Sequence, residues 1–188
     1  KDNKHNRLIF SLSKRQKLIY NDVRKFGFIK ILDKRQLQYN LHLKNLGPEP
    51  LGNSFDFKYF KNYLINRNRT IKDILMDQKF VSGLGNIYVN EVLFLSKVKP
   101  TKKTYLIKNN EIRKIIKNTK KTLKKAISLG GSSLRDFSSS DGKKGEFQQY
   151  FYVYGRKGDN CFNRNCNKKI IKTIIGNRAT FYCPKCQK

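Results

Sequence analysis

Four cysteines crowd the end of the chain, Cys161, Cys166, Cys183 and Cys186, in the pattern C-x4-C, sixteen residues, C-x2-C. Two close pairs of thiols on separate turns can converge on one ion, and four thiolates suit tetrahedral zinc. Between the pairs, Lys168 to Ile175 and Ala179 to Tyr182 alternate enough for two strands, with Gly176-Asn177 as the hairpin turn. The spacing predicts a four-cysteine zinc-ribbon β-hairpin holding one structural Zn2+. Cysteine fills every coordination position, so the metal is expected to hold the hairpin, not to activate water. The alternatives are two disulfides or four free thiols. A Lys-rich chain with no signal-peptide pattern argues against disulfides. Arg178 directly follows the turn, which places it at the tip of the clamped hairpin.

The chain carries 42 Lys+Arg against 13 Asp+Glu, a net charge of +29. Such an excess points to a polyanionic partner, most simply nucleic acid. Codon bias in an AT-rich genome explains Lys in preference to Arg, but not the shortage of acids. An anionic membrane is the other basic-surface reading. No basic helix with an aromatic anchor supports it, and no apolar run approaches the roughly 18 residues of a span. With 38% hydrophobic and 12% aromatic residues, wholesale disorder is excluded. His5 and His42 are the only histidines and lack ligand spacing to the cysteines, and no Ser-His-Asp or HExxH arrangement is present.

Along the chain the pattern is α+β. Leu8-Ile9-Phe10, Lys17 to Tyr20 and Phe26 to Leu32 read as three strands, part of a sandwich rather than a whole sheet. LGPEPLG, residues 46 to 52, reads as a domain boundary. Beyond it the period becomes helical: Phe55 to Asn66, a helix capped by Thr70 with Asp73, Asn86 to Val98, and Asn110 to Leu129. The last carries a stripe of Ile112, Ile115, Ile116, Leu123, Ala126 and Ile127, with Gly130 as its stop. From Thr101 to Lys125 there are ten basic residues and one acid. A charged helix face is usually only solvated, but this one-sign bias favours phosphate contact.

Several segments carry a resemblance. DQKFVSGLGNIYVNEVLFLSKVKP, residues 77 to 100, resembles the helix-two-turn-helix signature of the formamidopyrimidine-DNA glycosylase family. VYGRKGDNC and NRATFYCPKCQK resemble that family's finger, and GGSSLRDFSSSDGKKGEF its loop between helix and finger. NDVRKFG resembles a loop late in its N-terminal domain, and LGPEPLG its interdomain linker. The matches fall in family order and sit nearer the formamidopyrimidine branch than the endonuclease VIII branch. Two departures stand out. The first knuckle is C-x4-C where the family's usual spacing is C-x2-C, and the chain opens at KDNKHNR, well inside the family's N-terminal domain.

The resemblance implies incomplete β-domain strands over residues 1–45, a linker at 46–53, a helix-two-turn-helix domain with a lesion-covering loop over 54–150, and a zinc finger over 151–188. It implies that Asn86 grips a lesion-strand phosphate, with Lys79 near the same phosphate and Arg178 on the backbone beside a flipped nucleotide. Arg24 would face the orphaned base and Phe26 would wedge into the stack, filling the gap that base flipping leaves. The competing readings are a helix-capping Asn86, a surface Lys79 and a core Phe26. The implied activity is base-excision repair: removal of oxidised or ring-opened purines, then strand cleavage by β/δ-elimination. The partner would be damaged double-stranded DNA, bound by a monomer in the bacterial cytoplasm, with no membrane role. The family's nucleophile is an N-terminal proline that forms an imine, assisted by a neighbouring Glu and a Lys. No residue of this chain takes those roles, so a partial sequence, inactive by itself, is expected. The alternative from another class is a non-enzymatic zinc-ribbon nucleic-acid-binding protein.

Overall fold

The computed structural model describes residues 4–132 and 145–188, which form two compact units, residues 1–40 and 41–188. In the first unit, β1 (Asn6–Ser11) pairs antiparallel with β2 (Lys17–Asn21), with Ile9 opposite Ile19. The third expected strand, Phe26 to Leu32, is not one: the segment takes no regular secondary structure and joins neither strand of the hairpin. Phe26 is 77% and Ile31 96% exposed. β-propensity alone does not make a strand without a neighbouring strand to ladder with.

The second unit begins with one helical turn, α1 (Leu41–Lys44), followed by α2 (Phe57–Leu64), α3 (Ile71–Leu75), α4 (Asn86–Leu95) and α5 (Asn109–Ser128). Asp56 caps α2 by accepting from Tyr59 N–H at 2.7 Å. Thr70 caps α3, accepting from Asp73 N–H and donating its hydroxyl to the Asp73 carboxylate. Phe55, Phe60, Ile74, Phe80, Leu93 and Ile115 lie at the centre of one apolar core that α2 to α5 share. α5 buries Ile112, Ile115 and Ala126 as its stripe predicts, but Ile127 is 66% exposed and the small polar Thr119 and Thr122 are buried in the helix. Gly130, at φ +69°, takes the left-handed backbone that ends it.

The C-terminal hairpin is β3 (Ile171–Ile175) and β4 (Arg178–Tyr182). Its turn, Gly176-Asn177, has φ of 53° and 58°, as a type I′ turn requires. Arg178 is the first residue of β4, opposite Ile175. The hairpin belongs to the same compact unit as the helices, and α4 meets both its last strand and the segment that leads into the finger. α4 is apolar on nearly every side, so its two buried polar residues need partners. Glu91 accepts N–H groups from Tyr152, Val153 and Tyr154 at 2.8, 3.0 and 2.8 Å. Asn90 accepts from Phe181 N–H at 2.6 Å.

Removing the Glu91 carboxylate strands three backbone donors in a buried place, each worth about 1–3 kcal/mol when unsatisfied. Glu91→Ala is expected to lower stability by about 3 kcal/mol or more in urea unfolding followed by circular dichroism. A loss below about 1 kcal/mol would show that the three bonds do not hold the entry to the finger.

Candidate nucleic-acid interface and metal centre

The expected site residues fall in both units, and each unit is described by itself. In the first, the carboxylate of Asp22 organises the tip that follows β2. It accepts from the N–H groups of Arg24, Lys25 and Gly27 at 3.0, 2.8 and 2.8 Å, and from the Tyr20 hydroxyl at 3.3 Å. A side chain at Gly27 would collide with that hydroxyl. The resulting tight turn presents Arg24 and Phe26 outward, with the guanidinium 4.7 Å from the ring centroid. An exposed Phe held under a cation is not a core Phe. The Gly27 N–H first, then the Lys25 and Arg24 N–H groups and the Tyr20 hydroxyl, hold the Asp22 carboxyl below its ordinary pKa against the opposing effect of desolvation.

In the second unit, the segment from Gln78 to Gly85 folds into a tight loop ahead of α4. The Gln78 side chain closes it, accepting from Gly83 N–H at 2.7 Å and donating to Leu84 C=O at 3.3 Å. Gly83 adopts φ +76°, and a Cβ there or at Gly85 would meet open space. The backbone leading into the helix is therefore bare, and the first-turn N–H groups of α4 have no intrahelical acceptor. Asn86 is the first residue of α4, with Gly85 in the cap position. Its side-chain amide donates to Ala179 C=O at 3.0 Å, so it does not cap its own helix. That bond brings the start of α4 against β4, one residue from Arg178.

Lys72 makes the same connection from α3. It is 1% exposed and donates to Thr180 Oγ1 at 2.6 Å and to Ala179 C=O at 3.2 Å. Burial pushes its pKa down to about 8; Asp73 opposes the shift and Arg178 adds to it. The hairpin turn meets α3 closely as well: a Cβ at Gly176 would lie 2.8 Å from Asp73 Oδ1. Arg178 lines an open cleft of about 430 Å³ with Arg69, Asp73, Asp77 and Gln78. Arg69 is neutralised there by Asp77 at 2.7 Å. Asp77 also accepts from Lys79 N–H, and the Lys79 side chain is exposed. Arg178 is exposed, on a strand that is pinned from two helices. The structure thus brings Asn86 and Arg178 together and places Arg24 and Phe26 in the other unit. Residues 133–144, most of the expected lesion-covering loop, lie outside the described residues.

The four cysteines form one cluster, with their sulfurs all within 4.8 Å of one another. Cys161 and Cys186 are 3.8 Å apart, and Cys166 and Cys183 are 3.6 Å apart. A disulfide would need about 2.05 Å. Four sulfurs at about 2.3 Å from one tetrahedral ion lie about 3.8 Å from each other, so the donor set fits a single closed metal site.

Sequence reading missed Asp22, Lys72, Asn90 and Glu91. Asn90 and Glu91 left a signal, a polar pair inside the apolar run YVNEVLFL. Lys72 left none, since its partners lie over a hundred residues away.

Residues 46–138 match the family described as "Formamidopyrimidine-DNA glycosylase H2TH domain". A formamidopyrimidine-DNA glycosylase of Rickettsia felis is 44% identical over 98% of this chain, which spans 66% of that relative's length. A Lactococcus lactis FPG mutant in complex with Fapy-dG-containing DNA superposes with a TM-score of 0.90 at 38% identity, over 100% of this chain and 68% of that one. MutM in complex with carbocyclic 8-oxo-G-containing DNA gives 0.87 at 37% identity, over 100% and 67%. Among the described residues no helix is long and apolar enough to cross a membrane.

Asp22 has its pKa lowered by folding, so the order it imposes is complete above the ordinary carboxylate range. That order is lost as pH falls through its own, lower value. Asp22→Ala should speed amide exchange at Arg24, Lys25 and Gly27 about tenfold or more, read by NMR. Unchanged exchange would mean that the turn holds without the carboxylate.

Proposed function

The chain belongs to the formamidopyrimidine-DNA glycosylase family, and on that premise we propose that it serves base-excision repair of oxidised or ring-opened purines, supplying the DNA grip and the architecture around the lesion. The observation that carries the reading is the convergence on Ala179 C=O, where Asn86 and Lys72 fix the strand that bears Arg178 beside the bare N-terminus of α4. A helix N-terminus with open glycine backbone ahead of it favours a phosphate, through free N–H groups and the helix dipole. In this reading Arg178 and Asn86 take backbone phosphates of the lesion strand, and Lys79 adds charge near them. Arg24 faces the base left unpaired, and Phe26 enters the stack where the damaged nucleotide has turned out. The relatives lend no support to a non-enzymatic alternative.

Cys161, Cys166, Cys183 and Cys186 would hold one Zn2+. Bound there it supplies structure and no chemistry, because four thiolates leave no position for water. The chain would act as a monomer on damaged duplex in a bacterial cytoplasm, as suits relatives that are bacterial DNA glycosylases.

Arg178→Ala, with metal content unchanged, is expected to weaken binding to a lesion-containing duplex. The slope of log K against log salt should flatten by about 1, the loss of one phosphate contact. Unchanged affinity and slope would remove Arg178 from the interface.

The cleavage chemistry of this reading requires an amine that forms an imine with the sugar, and none of residues 1–188 is assigned to it. Borohydride treatment of the 188-residue chain with an 8-oxoguanine duplex should therefore leave no covalent adduct. A trapped adduct would show that the chain carries its own nucleophile.

A further inference from the structure

At the far end of α4 from Asn86 lies a second cleft, open and of about 810 Å³. α4 has ten residues, so the two ends are about 15 Å apart along its axis. One wall is the start of α5 with the turn after α4, and the other is the finger's two cysteine knuckles. Its cations are Lys97, Lys108, Lys114, Arg164, Lys185 and Lys188, all exposed. A seventh, Lys102, is neutralised by Glu111 at 2.7 Å. Glu111 is the cleft's single carboxylate side chain. Even four thiolates on a divalent ion, a net charge of −2, leave the cleft positive.

The four residues between Cys161 and Cys166, Phe162 to Asn165, all line this cleft. The C-x4-C spacing is therefore spent on building one of its walls. Phe162 is 59% exposed, with the Arg156 guanidinium 3.8 Å from its ring centroid and Tyr152 edge-on at 6.0 Å. A ring braced in this way and still mostly exposed offers surface for stacking. A positive groove with an exposed aromatic is the arrangement that takes single-stranded nucleic acid: phosphates follow the cations and a base lies on the ring. A duplex keeps its bases stacked on each other and has no use for the Phe.

We propose that this cleft is a second nucleic-acid site, for a single-stranded segment, separate from the Asn86–Arg178 interface. The setting rests on the DNA-binding reading above, but the site is tested independently of it. A preformed complex of the chain with an unlabelled short lesion duplex would be titrated into fluorescent decathymidylate and followed by anisotropy. Binding is expected, because the duplex leaves the cleft free. Phe162→Ala and the double variant Lys114→Glu/Arg164→Glu should each weaken it about tenfold, with lesion-duplex affinity within about twofold of the parent. Arg178→Ala should do the converse, and its failure would count against the duplex interface alone. The proposal is overturned if decathymidylate does not bind the preformed complex or if the double variant leaves its affinity unchanged. Sensitivity to the charge reversals without sensitivity to Phe162→Ala would overturn the assignment to a single strand.

Discussion

Glu91 is the constraint on which the second unit depends. A carboxylate at 1% exposure inside an apolar helix is tolerable only with full hydrogen bonding, and three consecutive backbone N–H groups provide it. Burial still pushes its pKa above the ordinary value, against the pull of those three donors and of Arg156. One residue earlier, Asn90 takes the N–H of Phe181, so two adjacent side chains of α4 fix both the entry to the finger and its last strand. An apolar contact alone, such as Phe94 against Val153 and Phe181, would hold the finger near the helix without setting its register.

The finger is held at its far end by other means. Gln187 donates to Val98 C=O and accepts from Cys183 N–H, both at 2.9 Å. Lys188 exchanges backbone bonds with Lys97 and Lys99. The second cysteine knuckle is therefore stitched to the turn after α4, while the start of β4 is stitched to α3 and to the start of α4. A five-residue strand pinned at both ends has little freedom, and Arg178 inherits that rigidity. A long cation loses entropy when it binds, and a fixed backbone reduces the part of that loss that must be met at binding. The metal cluster acts at one end of this strut and Arg178 stands at the other.

Local chemistry made much of this legible. The hairpin turn follows from Gly176-Asn177 because only a left-handed pair closes a two-residue loop of this type. The Thr70 cap and the stripe of α5 follow from spacing over one or two turns. Failures came where the deciding partner was remote. Phe26 to Leu32 has the residues of a strand, but strand formation depends on a neighbour. Ile127 continues the stripe by spacing, yet the core ends at Ala126. Asp22 reads as an ordinary turn residue until Tyr20 and Gly27 are seen around it. Lys72, on a short helix beside three apolar residues, reads as its solvent side until β4 covers it. Resemblance implies a phosphate contact for Asn86. Its bond to Ala179 adds a role that no local pattern encodes, since the two residues are 93 positions apart.

The shortage of acids, a sign of a polyanionic partner, has a structural meaning as well. Most of the acids among the described residues hold backbone N–H groups, among them Asp22 in its turn, Asp56 at a helix start, Asp77 under Lys79, and Glu91 under the finger, while Asp73 takes the Thr70 hydroxyl. Glu111 takes the N–H of Lys108 and the ammonium of Lys102. These carboxylates are used up in making the fold, so they do little to cancel the lysines outside. The lysine face of α5 is a case in point: its one acid lies in the first turn, where the helix dipole favours it, and the cations that follow meet no compensating charge on their own helix. Net charge and architecture are thus one design. Acids sit where backbone donors need them, and the external field is dominated by the bases, open to whatever phosphates approach.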